Sequence, residues 1–291
     1  KSIVIYEHNA YMGHGNGSCA GTGLYVAPSI SINGPIVLKN NAVTSGTIIA
    51  TPTGICYEGN TVDGVSFPVD TTPTAPFTIG TDGGECQYIG TWEQSSKTCT
   101  LTSGFSSTGH GIIIDGHDIT LDGSSNKIYG DGGEDDFGVD VRNSNNFTIK
   151  NLHIHEFGIG IRAGNSNGGT ITSINLIGNS VDGLYAEYVT ALKVTDGNIS
   201  SNGRNGMTFN GGSGSGCSGS GAFLVQSIWV ASNTGNGIEA FNHSGICFDH
   251  ITANVNGYGF YILGSQSDIF TSNTAIQNIN TGFYFGSGAT P

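Results

Sequence analysis

A short motif recurs seven times between residues 138 and 286. Each copy begins with a glycine that is followed by alternating apolar residues, and successive copies are 22, 23, 23, 31, 22 and 23 residues apart. The glycines are Gly138, Gly160, Gly183, Gly206, Gly237, Gly259 and Gly282. A second apolar series, from Ile149 to Phe270, lengthens at the same place. The extra residues therefore form one local insertion, residues 211–221.

Repeats of this length without helical spacing are typical of a solenoid in which each repeat is one coil. The alternation predicts that Val139 points inward while Asp140 and Arg142 point outward. Three short strands per coil, separated by turns rich in Gly, Asn and Ser, predict an all-β fold, a right-handed parallel β-helix with coils of 22–23 residues. Asparagines four residues before a coil glycine fit a stacked turn position, with amide hydrogen bonds along the axis. They are Asn179, Asn202, Asn233 and Asn278.

The chain divides into a regular and an irregular part. Residues 1–85 lack the coil rhythm, and we expect an N-terminal β cap or irregular first coils there, with the β-helix over residues 86–291. From Cys86 onward, segments such as Gly90-Thr-Trp, Gly111-Ile-Ile-Ile-Asp and Lys127-Ile-Tyr-Gly resemble the opening coils of secreted right-handed β-helix repeat proteins. That group is pectate-lyase-like and NosD-like, and it mixes lyases, epimerases and hydrolases with non-catalytic surface proteins. The resemblance implies the fold more than a function.

Charge and cysteine content restrict the partners and the compartment. The net charge of −13 argues against nucleic acid and against anionic membrane surfaces, and no apolar run reaches the roughly 20 residues of a membrane span. Six cysteines, an even number, suit an oxidising, extracellular or cell-surface location. We predict disulfides Cys86–Cys99 and Cys217–Cys247, and by elimination Cys19–Cys56. Glycosylation sequons begin at Asn16, Asn146, Asn198 and Asn242.

Outward residues at one coil position stack at about 4.8 Å, so the repeat spacing predicts which side chains share a surface. Asp140, Arg142, Arg162 and Tyr185 fall in one patch, together with Asp115 and Glu187. A lyase or epimerase acting on uronates needs a cation that neutralises the uronate, a base that takes the C5 proton and an acid for the leaving oxygen. The residue types of this patch could supply all three. The alternative is a ladder of ion pairs between coils, Asp115 with Arg142 and Asp140 with Arg162, and the sequence favours the ladder.

Two further surfaces stand out. Phe241, Tyr261 and Tyr284 project from consecutive coils and form an aromatic strip that suits a sugar or a protein contact. The acidic loop with Asp131, Glu134, Asp135 and Asp136 is either a solvated loop or a Ca²⁺ site, and Ca²⁺ is the one cofactor that we consider.

Three functions from different classes remain open. The first is a non-catalytic protein of a cell-surface layer, sheath or filament, in which copies assemble head to tail. In that hypothesis the apolar strand with Ile3, Val4 and Ile5 of one copy pairs with the last coil, at Phe283 and Phe285, of the next. The second is a polysaccharide lyase or C5-epimerase, although the Asp-Pro-His-Asp and Arg-x-x-Arg signatures of such enzymes are missing. The third is a glycan-binding module or adhesin. The sequence favours a non-catalytic protein.

Overall fold

The computed structural model describes residues 74–290 and the backbone of five short strands between residues 36 and 67. By its internal contacts the chain divides into Lys1–Thr72 and Pro73–Pro291. In the first unit the strands are β1 Ile36–Lys39, β2 Ala42–Val43, β3 Ile55–Glu58, β4 Asn60–Val62 and β5 Val65–Phe67. β1 pairs with β3 and β2 with β4, both in parallel, while β4 and β5 form an antiparallel pair.

The second unit is a parallel β-helix, and its first strands are irregular. In chain order this irregular part contains β6 Phe77–Ile79, the four-residue helix α1 Cys86–Ile89, β7 Gly90–Glu93, β8 Thr98–Leu101, β9 Phe105–Ser106, β10 Ile112–Ile114, β11 Thr120–Asp122 and β12 Lys127–Tyr129. β7 and β8 form an antiparallel hairpin, and the disulfide Cys86–Cys99 joins α1 to β8. That disulfide prediction is confirmed.

Regular coils follow from residue 137 onward. Their strands are β13 Phe137–Arg142, β14 Thr148–His155, β15 Ile159–Gly164, β16 Thr170–Ile177, β17 Leu184–Thr190, β18 Lys193–Ser200, β19 Met207–Ser213, β20 Phe223–Ala231, β21 Ile238–Phe241, β22 Ile246–Asp249, β23 Thr252–Asn254, β24 Phe260–Leu263, β25 Ile269–Thr271, β26 Thr274–Ile276 and β27 Phe283–Phe285. One strand of each coil joins a nine-stranded sheet that runs from β6 to β27, and the others form a thirteen-stranded sheet.

Each coil has three faces because the long strands of the larger sheet are bent. A single residue with left-handed backbone geometry lies in the middle of each bent strand, for example Asn151 in β14, with φ 52°, and Ser173 in β16, with φ 53°. Asn and Ser adopt this geometry at lower cost than bulky residues. The three short strands that the sequence predicts are therefore one strand of the nine-stranded sheet and the two halves of a bent strand.

The register is the one that the repeat spacing predicts. Asp140 lies beside Arg162, and Arg162 beside Tyr185, one coil apart. The inward residues Val139 and Val141 are fully buried, and similar residues of every coil fill one continuous apolar core. At about 25 cal/mol per Å² of buried apolar surface, this core is the main stabilising term of the fold.

A column of buried asparagine side chains stabilises one corner. The Nδ2 atom of Asn179 donates to Oδ1 of Asn202 at 2.9 Å, and Asn202 donates to Asn233 in the same way at 2.9 Å. The prediction of an axial asparagine ladder is confirmed. The ladder continues through Asn256 to Asn278, and the sequence rule missed Asn256 because its turn is one residue shorter. Asn256 is three rather than four residues before its coil glycine, Gly259.

The other features of the fold concern the insertion and the last coil. The disulfide Cys217–Cys247 fastens the inserted loop to the next coil, as predicted, while the Cys19–Cys56 prediction lies outside the described residues. Phe283 points inward as expected and stacks on Phe260, with ring centroids 4.6 Å apart. Phe283 and Phe285 are nevertheless 37% and 40% exposed. Within the described residues, no helix has the length and apolarity of a membrane span.

Candidate functional site

All three arginines of the chain lie on or directly beside the outer surface of the nine-stranded sheet, which we call the arginine face. Arg142 ends β13, Arg162 is in β15, and Arg204 is in the turn before β19. The repeat explains part of the placement, because Arg142 and Arg162 are on adjacent strands of this sheet, whereas Arg204 precedes the strand that lies two further along. In a chain with a net charge of −13, this is a local concentration of positive side chains.

The first two arginines share one buried carboxylate. Asp140 points outward, as predicted, but the side chains of Arg142 and Arg162 cover it and leave it with no exposed surface. Arg142 donates from Nε to Oδ2 of Asp140, and Nη1 of Arg162 lies 3.4 Å from Oδ1. Arg162 also packs over the ring of Phe137, with its guanidinium carbon 5.3 Å from the ring centroid. Both guanidinium groups are thus fixed in position by one anion.

One predicted ion pair forms and the other does not. The pair between Asp140 and Arg162 is confirmed. The pair between Asp115 and Arg142 is wrong, since Arg142 bonds to Asp140, two residues away on its own strand. The physical reason is burial: a carboxylate without solvent needs a cation, whereas the exposed Asp115 gains little from one.

A second buried carboxylate holds the third arginine. Oδ1 of Asp182 accepts from Nε of Arg204 at 2.9 Å, and Oδ2 accepts from Nη2 at 2.6 Å. The backbone N–H of Asn205 and the hydroxyl of Thr208 also donate to Asp182, at 3.0 and 2.9 Å. The hydrogen bonds to Asp182 raise the pKa of Arg204 above its usual value. Sequence analysis missed this pair, although a separation of 22 residues, one coil, was the available signal.

Amide side chains extend the polar surface toward the later coils. Asn205 and Asn236 both donate from Nδ2 to Oε2 of Glu239, at 2.6 and 3.1 Å. On the neighbouring column Nδ2 of Asn210 lies 3.4 Å from both the Tyr185 hydroxyl and Oε1 of Glu187. Glu187 is in turn 4.0 Å from Nη2 of Arg162. The predicted patch residues other than Asp115 therefore do lie together, in a network of planar polar groups.

Tyrosines follow at the end of this surface. The rings of Tyr261 and Tyr284 are stacked, with centroids 4.9 Å apart and planes 8° apart. Tyr258, which the sequence analysis missed, lies 5.0 Å from Tyr261 and 5.6 Å from Tyr284. Phe241 lies in the neighbouring column and lines a shallow groove of about 400 Å³ with Glu239, Leu263 and three other residues. The predicted aromatic strip is thus a tyrosine cluster beside a groove.

The remaining predicted sites are placed but not tested. The four carboxylates of residues 131–136 do not converge, and nowhere in residues 74–290 do three acidic, His or Cys side chains gather as metal ligands. Calcium binding stays a prediction. Of the sequons, Asn146 and Asn242 are exposed and Asn198 is half-buried. Asn16, Ile3, Val4 and Ile5 lie outside the described residues.

Residues 89–227 match the family model described as "Right handed beta helix region". This part of the chain is a right-handed β-helix. The resemblance to right-handed β-helix repeat proteins and the predicted handedness are thereby confirmed. A search of curated proteins found no match.

Two solved structures are similar to the β-helix. One is the enzymatically active domain of tailspike protein 2 of bacteriophage CBA120, with 15% identity, 66% of this chain and 42% of that chain covered, and a TM-score of 0.43. The other is the A-module of a mannuronan C-5 epimerase of Azotobacter vinelandii, with 18% identity, 62% and 64% covered, and a TM-score of 0.35. This chain thus spans about two fifths of the tailspike domain. At these values the similarity does not indicate what the β-helix binds.

Proposed function

We propose that this protein is an extracellular glycan-binding β-helix and that a neutral polysaccharide binds along the arginine face. One observation carries the proposal: three immobilised guanidinium groups, several amide side chains and a tyrosine cluster follow one another along the axis of the helix. Planar polar groups present paired hydrogen-bond donors, and aromatic rings offer apolar faces for the C–H side of a sugar ring. Both kinds of group are held rigidly, which lowers the entropic cost of binding.

The charge balance of the face favours a neutral ligand over a uronate polymer. Three arginines are matched by four carboxylates, Asp140, Asp182, Glu187 and Glu239, within the same network. A polyanion would meet no surplus of positive charge there. The hydroxyl groups of a neutral sugar, in contrast, hydrogen-bond to arginine and carboxylate without a charge requirement.

The same contacts favour binding over catalysis. In the lyase or epimerase hypothesis Asp140 takes a proton, yet it has no exposed surface and its oxygens face two guanidinium groups. A base must reach the proton that it removes. We therefore assign Asp140 the role of positioning Arg142 and Arg162.

The test is binding of purified protein to a panel of neutral glucans, mannans, galactans and xylans, with alginate and pectate as the acidic counterparts. Exchange of both Tyr261→Ala and Tyr284→Ala should weaken binding of the preferred neutral polymer at least tenfold. Tyr88→Ala is the matched control, because Tyr88 is a 51% exposed tyrosine on α1, away from this strip. Unchanged binding in the double variant, or binding of no neutral polymer, would reject the proposal.

Head-to-tail assembly is the second candidate, and one observation favours it. Ile276, Ile279, Phe283 and Phe285 expose apolar surface around the last strand. Contiguous apolar surface of this kind is typical of contact sites. Light scattering over a hundredfold range of concentration tests it: oligomers that Phe283→Ser with Phe285→Ser abolishes support assembly, and a monomer at all concentrations rejects it.

A further inference from the structure

We propose a second binding site, for a single uronate residue, on the outer face formed by the second halves of the bent strands. Lys127, Tyr129, His153, His155 and Asn175 form this surface, which we call the histidine face. It uses neither the residues nor the sheet of the arginine face, so the inference stands independently of the proposed polysaccharide function.

The register of the coils brings the five side chains together. Lys127 lies beside His153, and His153 beside Asn175, on successive coils. Tyr129 lies beside His155 in the adjacent outward column. The rings of Tyr129 and His155 are stacked, with centroids 5.1 Å apart and planes 23° apart. These rings make a rigid platform in which neither side chain must be ordered when a ligand binds.

A groove adjoins the platform. Its volume is about 350 Å³, and Gly104, Phe105 and Ser106 line it together with Lys127 and Tyr129. This is near the lower end of the volumes of small-molecule sites, which fits one or two sugar rings rather than a long chain. Gly104 allows a close approach to the backbone of Lys127, which a side chain there would prevent, and Ser106 offers a hydroxyl group to the groove.

The cation of this groove has no partner in the described part of the chain. Lys97 and Lys150 are paired with Asp118 and Asp122, at 3.3 and 3.1 Å, but Lys127 makes no ion pair with any residue from 74 to 290. An ammonium group without a carboxylate partner attracts an anionic ligand. The site therefore differs from the arginine face, where every guanidinium group is already bound to an acid.

Near pH 7 both histidines are neutral, so Lys127 is the cation of this face. Burial, and secondarily the charge of Lys127, lowers the pKa of His153 and of His155 below the usual value. The other charged group that acts on His155 is Glu156, which is exposed. The Nε2 atom of His155 is buried without a hydrogen-bond partner in the described chain, and Nδ2 of Asn175 lies 3.3 Å from both ring nitrogens of His153.

These features select a monoanionic sugar. One cation matches one carboxylate, whereas a polyphosphate or a polyanionic chain would be repelled by a protein with a net charge of −13. The stacked rings and the hydroxyl groups of Tyr129 and Ser106 beside the groove suit a sugar ring and its hydroxyl groups better than a simple inorganic anion.

The experiment compares uronates with their neutral counterparts. Galacturonate and glucuronate, as mono- and disaccharides, are titrated against galactose and glucose by calorimetry or by NMR chemical shifts. Wild-type protein should bind the uronate at least tenfold more tightly, and added salt should reduce the difference. Lys127→Met keeps most of the aliphatic stem but removes the charge, and it should abolish the preference. Lys150→Met, at a paired lysine, is the matched control and should preserve it.

Each outcome decides the proposal. Equal binding of acidic and neutral sugars, or an undiminished preference in Lys127→Met with an unchanged Tm, would overturn it. The double exchange of Tyr261 and Tyr284 to alanine must leave uronate binding unchanged, which separates this site from the arginine face. Loss of uronate binding in that double variant would assign the uronate to the arginine face and refute a second site.

Discussion

The arginine face and the histidine face are built on overlapping coils of one solenoid, yet their cations are in opposite environments. On the arginine face, buried carboxylates hold all three guanidinium groups. On the histidine face Lys127 makes no ion pair with a described residue, and its neighbours are histidines whose pKa values are lowered. The core fixes the inward residues of each coil, whereas the outward residues are free to differ from face to face. One solenoid can therefore carry two unlike binding surfaces.

This comparison shows how a buried carboxylate changes the behaviour of the exposed cation above it. Asp140 and Asp182 are fully buried, whereas the arginines above them are partly exposed. The acid fixes the orientation of the arginine and removes its net charge, so that it acts as a hydrogen-bond donor of defined geometry. Without such an acid, Lys127 keeps its charge and its freedom to move.

The largest expected effect is on stability, and it tests whether the arginines stabilise the fold as partners of the buried carboxylates. Arg204→Ala leaves Asp182 buried without its cation, and we expect a loss of about 3 kcal/mol in the free energy of unfolding. Urea denaturation measures the loss. Lys127→Met should change stability by less than about 0.5 kcal/mol, because it breaks no described pair.

A second variant makes this comparison sharper. Arg204→Ala combined with Asp182→Asn removes the buried charge and should restore part of the stability, since Asn can still accept from the N–H of Asn205. If Arg204→Ala alone lowers the free energy of unfolding by no more than Lys127→Met does, the two faces do not differ in the way that we describe.

The sequence predicted the fold but only part of the site. The 22–23-residue repeat fixed the coils, the inward residues and the outward columns, because each follows from counting along one period. Counting cannot show how outward side chains bend over one another. The burial of Asp140, the turn of Arg142 away from Asp115 and the pairing of Asp182 with Arg204 depend on side-chain conformation within a column. Asn256 was missed because its turn is one residue shorter than the others, and Tyr258 was missed because it directly precedes its coil glycine, outside the columns counted after that glycine.

The second prediction concerns the pH dependence of stability, which must be known before the faces are compared at different pH. Burial raises the pKa of Asp268 to about 6 and lowers the pKa of His243 to about 4. A raised carboxyl pKa means that Asp268 contributes stability below pH 4, which is lost as the pH rises through 6. A lowered histidine pKa means that His243 contributes stability above pH 6.5, which is lost as the pH falls toward 4. The two contributions oppose each other between about pH 4 and pH 6.

Asp268→Asn separates these contributions. At pH 8 we expect the variant to be more stable than wild type by up to about 3 kcal/mol, the free energy that corresponds to pKa values of about 6 and 3.8. At pH 4 the two proteins should be equally stable, and the variant should lose stability steadily as the pH falls from 6.5, because the opposing contribution of Asp268 is gone and the histidines with lowered pKa values, His243 above all, then become protonated. Unfolding curves at five pH values suffice. Equal stability of variant and wild type at pH 8 would contradict the assignment.

The smallest predicted effect concerns ligand binding at the two faces as the pH changes. On the histidine face, protonation of His153 and His155 adds positive charge beside a bound carboxylate, so uronate binding should become a few-fold tighter as the pH falls from 7 to 5. The lowered pKa of both groups places this gain below pH 6.5 rather than above it. On the arginine face the guanidinium groups stay protonated and the ligand is neutral, so binding of a neutral polymer should stay constant over the same range.

His155→Gln, which keeps a polar side chain, should reduce the pH-dependent gain in uronate binding and leave binding of the neutral polymer unaffected. A pH dependence of equal size and direction on both faces would instead reflect a global change in the protein, and the contrast between a neutralised and a free cation would then fail.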